Sequence, residues 1–387
     1  MAKKIMLIHN ILWSHYKAIV LSELDVLIKA CGNELYVIHI APKGVTQKNL
    51  GDADRSLHKY HYKVLFYEYY ELISNVKKCI ALWREIRSYK PDIIVLPGFG
   101  EIPFWFVLLA SKVLTTRSIL TCDSTSMDRP AFWLKTTLKK LFVRGCSTAF
   151  CYGTKSKEYL LSLGMPIEAI YTRCQAIDNE KFAALWKESA NMREQILLNS
   201  GFKSRNFIFV GRLIQLKNII RLIDAFTNLK QNEELAADWG LIVVGDGPQR
   251  EELIKHCTQN AVKDVNLIGG KNWSETPSYY ALADVFVLPS TSEAWGLVVN
   301  EAMICGLPVL VSDRCGAAYD LVEEGKNGFV FNPFDVLELE NRLRFFVRNP
   351  DEIGIMSERS RAIISDYTAQ NAALQMLRGI RDTLEMR

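Results

Sequence analysis

Two doubly wound α/β domains are what this sequence predicts, and three observations carry the prediction. At 387 residues the chain is long enough for two cores of ordinary size. Its second half alternates strand-like apolar runs, at 206–210, 240–244, 265–268, 284–288, 307–311 and 328–331, with helical patterns. Continuous rather than alternating apolar runs suit strands covered on both faces, as in a parallel sheet. The first half repeats the scheme less regularly, with strands near 4–8, 34–40, 92–96, 117–122 and 147–151.

Taken in order, residues 1–178 form the first domain and 179–365 the second, joined near 176–204. A last helical pattern, 366–387, is expected to pack back on the first domain. The stretch 42–61 is polar and poor in strand signals, and reads as a loop. In the second domain, Ile219, Ile220, Leu222, Ile223, Phe226 and Leu229 keep helical spacing. Doubly wound sheets hold ligands beyond the carboxyl ends of their strands, so the functional cleft is expected between the halves.

Composition narrows the class. A hydrophobic share of 49% with 23% charged residues is globular. Lys3 and Lys4 run directly into a strand-like segment, so no leader peptide is expected. The longest apolar stretch, from Ile102 to Ala110, is too short to span a bilayer. Nine scattered cysteines without a C-x-x-C pair suit a reduced, cytoplasmic setting rather than a disulfide or zinc framework. Net charge is +4 overall, yet residues 1–178 carry 24 Lys and Arg against 15 Asp and Glu. Only that half is expected to face something anionic: membrane phospholipid, a lipid-linked acceptor or a polyanion.

The most informative stretch is S-T-S-E-A-W-G-L-V-V-N-E-A. Glu293 lies in a loop after the strand A-D-V-F-V-L-P, and Glu301 lies inside a helix that opens near Gly296. A helix N-terminus offers unpaired N–H groups and partial positive charge to an anion. Phosphate donors flanked by two carboxylates can grip a phosphate and two sets of hydroxyls, a description that suits a sugar nucleotide. Upstream, F-I-F-V-G-R-L-I-Q-L-K-N ends a strand, turns at Gly211 and presents Arg212 and Lys217 before a helix capped by Asn218. These cations can hold a diphosphate without a metal; either alone would pass for a surface charge in a βα turn. V-V-G-D-G-P reads as a turn with Asp246 as helix cap. Gly269 and Gly270 form a strand-end pair where a flat base can approach the backbone.

The succession V-G-R-L-x-x-x-K-N, V-G-D-G-P, L-I-G-G, S-E-A-W-G-L-V-V-N-E-A, G-L-P-V-L-V-S-D and E-G-x-N-G-F-V-F resembles the second domain of family 4 glycosyltransferases. These are retaining enzymes of the GT-B fold, two Rossmann-like domains, and the match runs from about 205 to 335. The resemblance implies that Arg212 and Lys217 bind the donor diphosphate and that Glu293 orients sugar hydroxyls near the reacting carbon. It further implies backbone contacts from Gly211, Gly296, Leu297 and Val298, and a ribose contact from Glu301. No metal or other cofactor is implied. A UDP-sugar is the favoured donor, with GDP- and ADP-sugars open. The expected acceptor is a glycan or lipid-linked hydroxyl at the inner face of the cytoplasmic membrane, and no nucleic-acid partner is expected. A soluble small acceptor, or a catalytically silent nucleotide-sugar-binding subunit, are the alternative readings.

The first domain follows the family only in outline. The glycine pair common in the first βα loop is absent from H-N-I-L-W-S-H-Y-K. Where many relatives carry a histidine, I-L-T-C-D-S-T has Asp123, which either contacts sugar or acceptor or caps the following segment. His15 is a candidate on the acceptor side or a structural histidine. Asp52 and Asp54 spell a D-x-D, a metal signature in a different glycosyltransferase fold, but here in a polar loop. The stretch 133–144 is a basic amphipathic helix, with Leu134, Leu138, Leu141 and Phe142 on one side and Lys135, Lys139, Lys140 and Arg144 around the other. It either lies on an anionic membrane or packs on its own domain by the leucines.

Overall fold

A computed structural model describes residues 2–47, 53–127 and 133–386. The chain divides into two compact units, one made of Met1–Ala176 with Thr368–Arg387, the other of Ile177–Tyr367. Each is a Rossmann-like α/β unit.

In the first unit the strands are Lys4–Ile11 (β1), Glu34–Ala41 (β2), Tyr62–Val64 (β3), Ile93–Leu96 (β4), Arg117–Cys122 (β5), Thr148–Tyr152 (β6) and Ile170–Arg173 (β7). They form one parallel sheet in the order β3-β2-β1-β4-β5-β6-β7. Successive side chains leave a strand on opposite faces, so β1 sends Met6 and Ile8 into one core and Ile5 and Leu7 into the other. Helices cover both faces, which is why these strands are apolar along their length. Two strands escaped the sequence reading, β3 and β7. Both are short edge strands of mixed polarity, held by pairing with one neighbour rather than by burial of a continuous apolar run.

Helix Trp133–Gly145 corrects an expectation. Phe142 and Val143 are buried and anchor it, while Leu134, Leu138 and Leu141 are 50%, 47% and 63% exposed. Its leucines are therefore not what packs it on the unit. No helix among the described residues is long and apolar enough to cross a membrane.

The second unit has strands Arg205–Val210 (β8), Trp239–Val244 (β9), Val265–Gly269 (β10), Val285–Leu288 (β11), Val309–Ser312 (β12) and Gly328–Phe331 (β13). All pair in parallel, in the order β10-β9-β8-β11-β12-β13. The chain builds outward from β8 to β10, then returns to the other side of β8 to lay down β11. That reversal opens a crevice beyond the carboxyl ends of β8 and β11.

Two expected caps are not made. Asn218 stands before helix Ile219–Asn232, but at φ +59 its side chain turns away: Nδ2 donates to the Pro333 carbonyl (2.7 Å), and Oδ1 accepts from Arg221 (2.7 Å). Asp246 does not cap helix Arg250–Gln259, which begins further on with Gln249 in the N-cap position. Its carboxylate instead accepts from the Gly247 N–H (2.8 Å). In both places tertiary geometry overrode a local preference.

Helix Ala369–Glu385 closes the first unit. Thr368 caps it by accepting from the Asn371 N–H (3.1 Å), Thr383 meets Thr148 (2.7 Å), and Tyr171 donates to Asp382 (2.9 Å). Gly379 lets it lie against the sheet, since a Cβ there would stand 2.5 Å from Cε1 of the buried Phe150 and 3.0 Å from Cγ of Tyr171. Overfilling such a contact costs about 1–3 kcal/mol. Gly379→Val is therefore expected to destabilise the first unit by about 2 kcal/mol, lowering its melting temperature by roughly 4–8 °C. An unchanged or raised transition in scanning calorimetry would contradict this packing.

Candidate functional site

At the carboxyl end of β8 the chain reaches Gly211, whose N–H donates to the Val244 carbonyl at the end of β9 (3.0 Å). The Leu213 N–H donates to the Asp246 carbonyl (2.9 Å), fastening the two strand-end loops together. Their approach is so close that a Cβ on Gly245 would lie 1.8 Å from the Gly211 carbonyl oxygen, so only glycine fits. Beyond this junction a short turn, Gln215–Lys217, leads to Asn218, which reverses the backbone into the helix and leaves Lys217 at the crevice.

The loop after β11 arrives from the other side. Thr291 donates its backbone N–H to the Leu216 carbonyl (2.8 Å). Glu293 is pinned to the loop after β12, its N–H donating to the Arg314 carbonyl and its own carbonyl accepting from Gly316, both at 3.0 Å. The result joins residues far apart in sequence: Lys217 and Glu293 form a hydrogen-bonded ion pair, both side chains mostly buried. Arg212, in the same βα loop as Lys217, is exposed and makes no ion pair among the described residues.

Helix Leu297–Ile304 begins at Gly296, with φ +96. A Cβ there would stand 2.9 Å from Cys315 Sγ and 3.1 Å from Leu288 Cδ2, so the helix start could not sit so close to β11 with any other residue. Trp295 and Asn300 lock this start, Nε1 of the indole donating to the Asn300 side chain (2.9 Å) with both residues buried. Leu297 and Val298 occupy the first turn, where N–H groups have no partner within a helix. Glu301 is only 4% exposed and accepts from the Tyr280 hydroxyl (3.0 Å). Gly269, at φ +86 with open space on its side-chain side, accepts the Gly245 N–H through its carbonyl (2.9 Å), and Gly270 lies beside Asp246.

The second unit thus gathers Gly211, Arg212, Lys217, Gly269, Gly270, Glu293, Gly296, Leu297, Val298 and Glu301 on the loops and helix start at its strand carboxyl ends. Tyr280, Trp295 and Asn300, which fix Glu301 and the helix start, escaped the sequence reading. An aromatic or amide inside an apolar pattern reads as ordinary core, and only packing shows what its polar atom holds.

In the first unit Asp123 and His15 part company. Asp123, just past β5, lines a cavity at the carboxyl ends of β1, β5, β6 and β7, together with His9, Lys17 and Arg173. Burial holds His9 well below the usual histidine range, with nearby Lys17 adding to the effect, so its imidazole is neutral near pH 7. Burial also brings Lys17 down to about 8, opposed by Asp123. His15 opens helix His15–Ala30, with its ring 5.4 Å from that of Trp13, and is not among the residues lining this cavity. Sequence reasoning missed Lys17 and Arg173. A lysine in the first turn of the first helix was a usable signal, whereas Arg173 ends an edge strand that carried none.

Asp52 lies outside the described residues. Asp54 caps the short turn Arg55–Leu57, accepting from the Ser56 N–H (3.0 Å) and hydroxyl (2.6 Å). Among the described residues there is no group of three or more His, Cys, Asp and Glu placed to hold a metal ion.

Known proteins resemble this chain in both sequence and fold. The sulfoquinovosyl transferase SQD2 of Arabidopsis thaliana is 33% identical over 295 residues, covering 73% of this chain but 55% of that protein. The match therefore spans about half the length of the plant relative. The Escherichia coli UDP-Gal:alpha-D-GlcNAc-diphosphoundecaprenol alpha-1,3-galactosyltransferase is 29% identical over 304 residues, 75% of each chain. Among solved structures, Anabaena Alr3699/HepE in complex with UDP superposes with a TM-score of 0.75 at 19% identity, covering 98% of this chain and 100% of that one. This likeness shows the fold, which is GT-B. The model of the family described as glycosyl transferases group 1 matches residues 192–364, the stretch holding both strand-end loops, the Lys217–Glu293 pair and Glu301. Over those residues the chain matches the family of glycosyl transferases group 1.

Proposed function

We propose that the protein is a retaining, metal-independent glycosyltransferase that moves a sugar from a nucleotide-diphosphate sugar, a UDP-sugar first, to a hydroxyl of a glycan or lipid-linked acceptor in polysaccharide biosynthesis. One observation carries this reading: the Lys217–Glu293 ion pair at the strand-order reversal, next to an anion-favouring helix start. The family match over 192–364, a UDP-bound structure of the same fold and a relative named for UDP-Gal support it.

Each group then has one task. Lys217 and Arg212 neutralise the diphosphate as the anomeric C–O bond to it breaks; such preorganised charge outperforms water because it needs no reorientation. Glu293, already fixed by two backbone hydrogen bonds and by Lys217, accepts from sugar hydroxyls. The first-turn N–H groups of Leu297 and Val298 meet phosphate or sugar oxygens, Glu301 accepts from the ribose diol, and Gly211, Gly269 and Gly270 let backbone approach phosphate and base. The acceptor oxygen attacks the face the diphosphate leaves, and its proton passes to the departing phosphate oxygen. Configuration is thereby retained without a protein nucleophile.

The acceptor's setting is the membrane surface. Helix Trp133–Gly145 presents Trp133, Leu134, Leu138 and Leu141 to solvent beside exposed Lys135 and Arg144, the mixture of apolar and basic groups that binds anionic lipid. In this reading the protein works at the cytoplasmic face of the membrane, attached peripherally. The E. coli relative, named for a diphosphoundecaprenol substrate, supports a lipid-linked acceptor.

Three outcomes are expected. Lys217→Ala or Arg212→Ala lowers kcat by about 100-fold or more with a smaller change in KM, while EDTA leaves wild-type turnover intact. Near-normal turnover in either variant, or loss of activity on chelation, would refute the assignment. Tyr280→Phe releases Glu301 and weakens UDP binding roughly 3- to 10-fold, and Glu301→Ala weakens it further; calorimetry giving an unchanged Kd for both would remove the ribose contact. Wild-type protein floats with vesicles rich in anionic phospholipid, and Leu134→Ser/Leu138→Ser/Leu141→Ser does not. A wild type that stays at the bottom of the gradient would make the helix purely structural.

A further inference from the structure

The cavity in the first unit carries an unbalanced charge. Arg173 is 7% exposed, and its guanidinium lies over the Tyr152 ring, 4.2 Å from the centroid. Nη2 donates to the Tyr152 hydroxyl and Nη1 to the Met376 sulfur (3.5 Å), a weak acceptor, while the buried Nε has no partner. Lys17, which lines the same cavity, makes neither an ion pair nor a side-chain hydrogen bond among the described residues. Asp123 is the one carboxylate among the lining residues, and it pairs at ion-pair distance with neither cation. His9, held neutral by its burial, adds no further positive charge.

A buried guanidinium with no carboxylate in direct contact is costly, because the low-dielectric interior leaves its charge only distantly compensated by Asp123 and its Nε–H unsatisfied. The arrangement is explained if something outside the chain completes it. A guanidinium with an unpartnered Nε–H, sharing a small cavity at strand carboxyl ends with an ammonium, matches a planar or tetrahedral oxyanion. We infer that this cavity is a binding site for a carboxylate or phosphate group, held by Arg173 and Lys17, with Asp123 setting its rim. Its source is the acceptor; in that respect alone the inference rests on the transferase reading above. The donor's phosphates have their own cations, Arg212 and Lys217, in the second unit.

The test separates the two anion sites. Binding of inorganic phosphate is followed by 31P line broadening at pH 7 in Arg212→Ala/Lys217→Ala, which lacks the donor cations. That protein is expected still to bind phosphate, with acetate competing. Adding Lys17→Met should weaken the affinity about 10-fold, and adding Arg173→Met should abolish it. Should Arg173→Met fail to fold, the lysine variant decides alone, because Lys17 is partly exposed and joins no ion pair. Absence of phosphate binding in the donor-site variant, or an affinity indifferent to Lys17→Met, overturns the site. A second arm measures UDP affinity in Lys17→Met with Arg212 and Lys217 intact. A Kd within twofold of wild type assigns the cavity to the acceptor, and a tenfold loss overturns that assignment. The donor site is judged separately, by UDP affinity in Arg212→Ala/Lys217→Ala, so failure of one reading is not mistaken for failure of the other.

Discussion

Parallel pairing is the constraint from which everything else in this molecule proceeds. When all strands of a sheet point the same way, all their carboxyl ends emerge along one edge, and the loops that follow them must share that edge. In the second unit the chain builds β8, β9 and β10 outward and then inserts β11 on the other side of β8, so adjacent strand ends diverge into a crevice. Loops leaving β8, β9 and β11 converge there whatever their sequence. What the sequence contributes is the chemistry at their tips and the glycines that let them meet.

Those glycines are not interchangeable with other small residues. Gly245 sits under the Gly211 carbonyl, and Gly296 is wedged between Cys315 and Leu288. Relaxing either contact would shift the loop carrying Lys217 or the helix start carrying Leu297 and Val298. The Lys217–Glu293 pair then does two things. Each partner compensates the other's burial, and each is held near one orientation before any ligand arrives. A ligand with anionic and hydroxyl groups replaces that mutual contact by two of its own, which limits the reorganisation that binding must drive.

The first unit uses the same topology differently. Its sheet also reverses after β3, and β1 and β4 flank the reversal, but its cavity is lined by two cations, Lys17 and Arg173, against one carboxylate, Asp123, that forms an ion pair with neither. The second unit satisfies its buried lysine internally; the first leaves its buried arginine short of a partner. That asymmetry, more than the overall excess of basic residues in the first half, distinguishes the two sheets chemically.

Central strands were legible because burial on both faces demands continuous apolar runs, and strand-end glycines beside Arg212, Lys217, Glu293 and Glu301 were legible because a βα turn is local. The sequence by itself therefore determined the doubly wound class and the chemistry offered at the second unit's strand ends. Tertiary structure alone decided the rest. The edge strands β3 and β7 exist by pairing, Asn218 and Asp246 gave up capping for backbone geometry, and Phe142 rather than the leucines anchors helix Trp133–Gly145. Lys217 meets Glu293, and Arg173 and Lys17 come to line one cavity, only after folding, because each pair joins segments distant in sequence. Periodicity records what a segment buries; which distant segment it meets depends on strand order, and strand order is a property of the whole sheet.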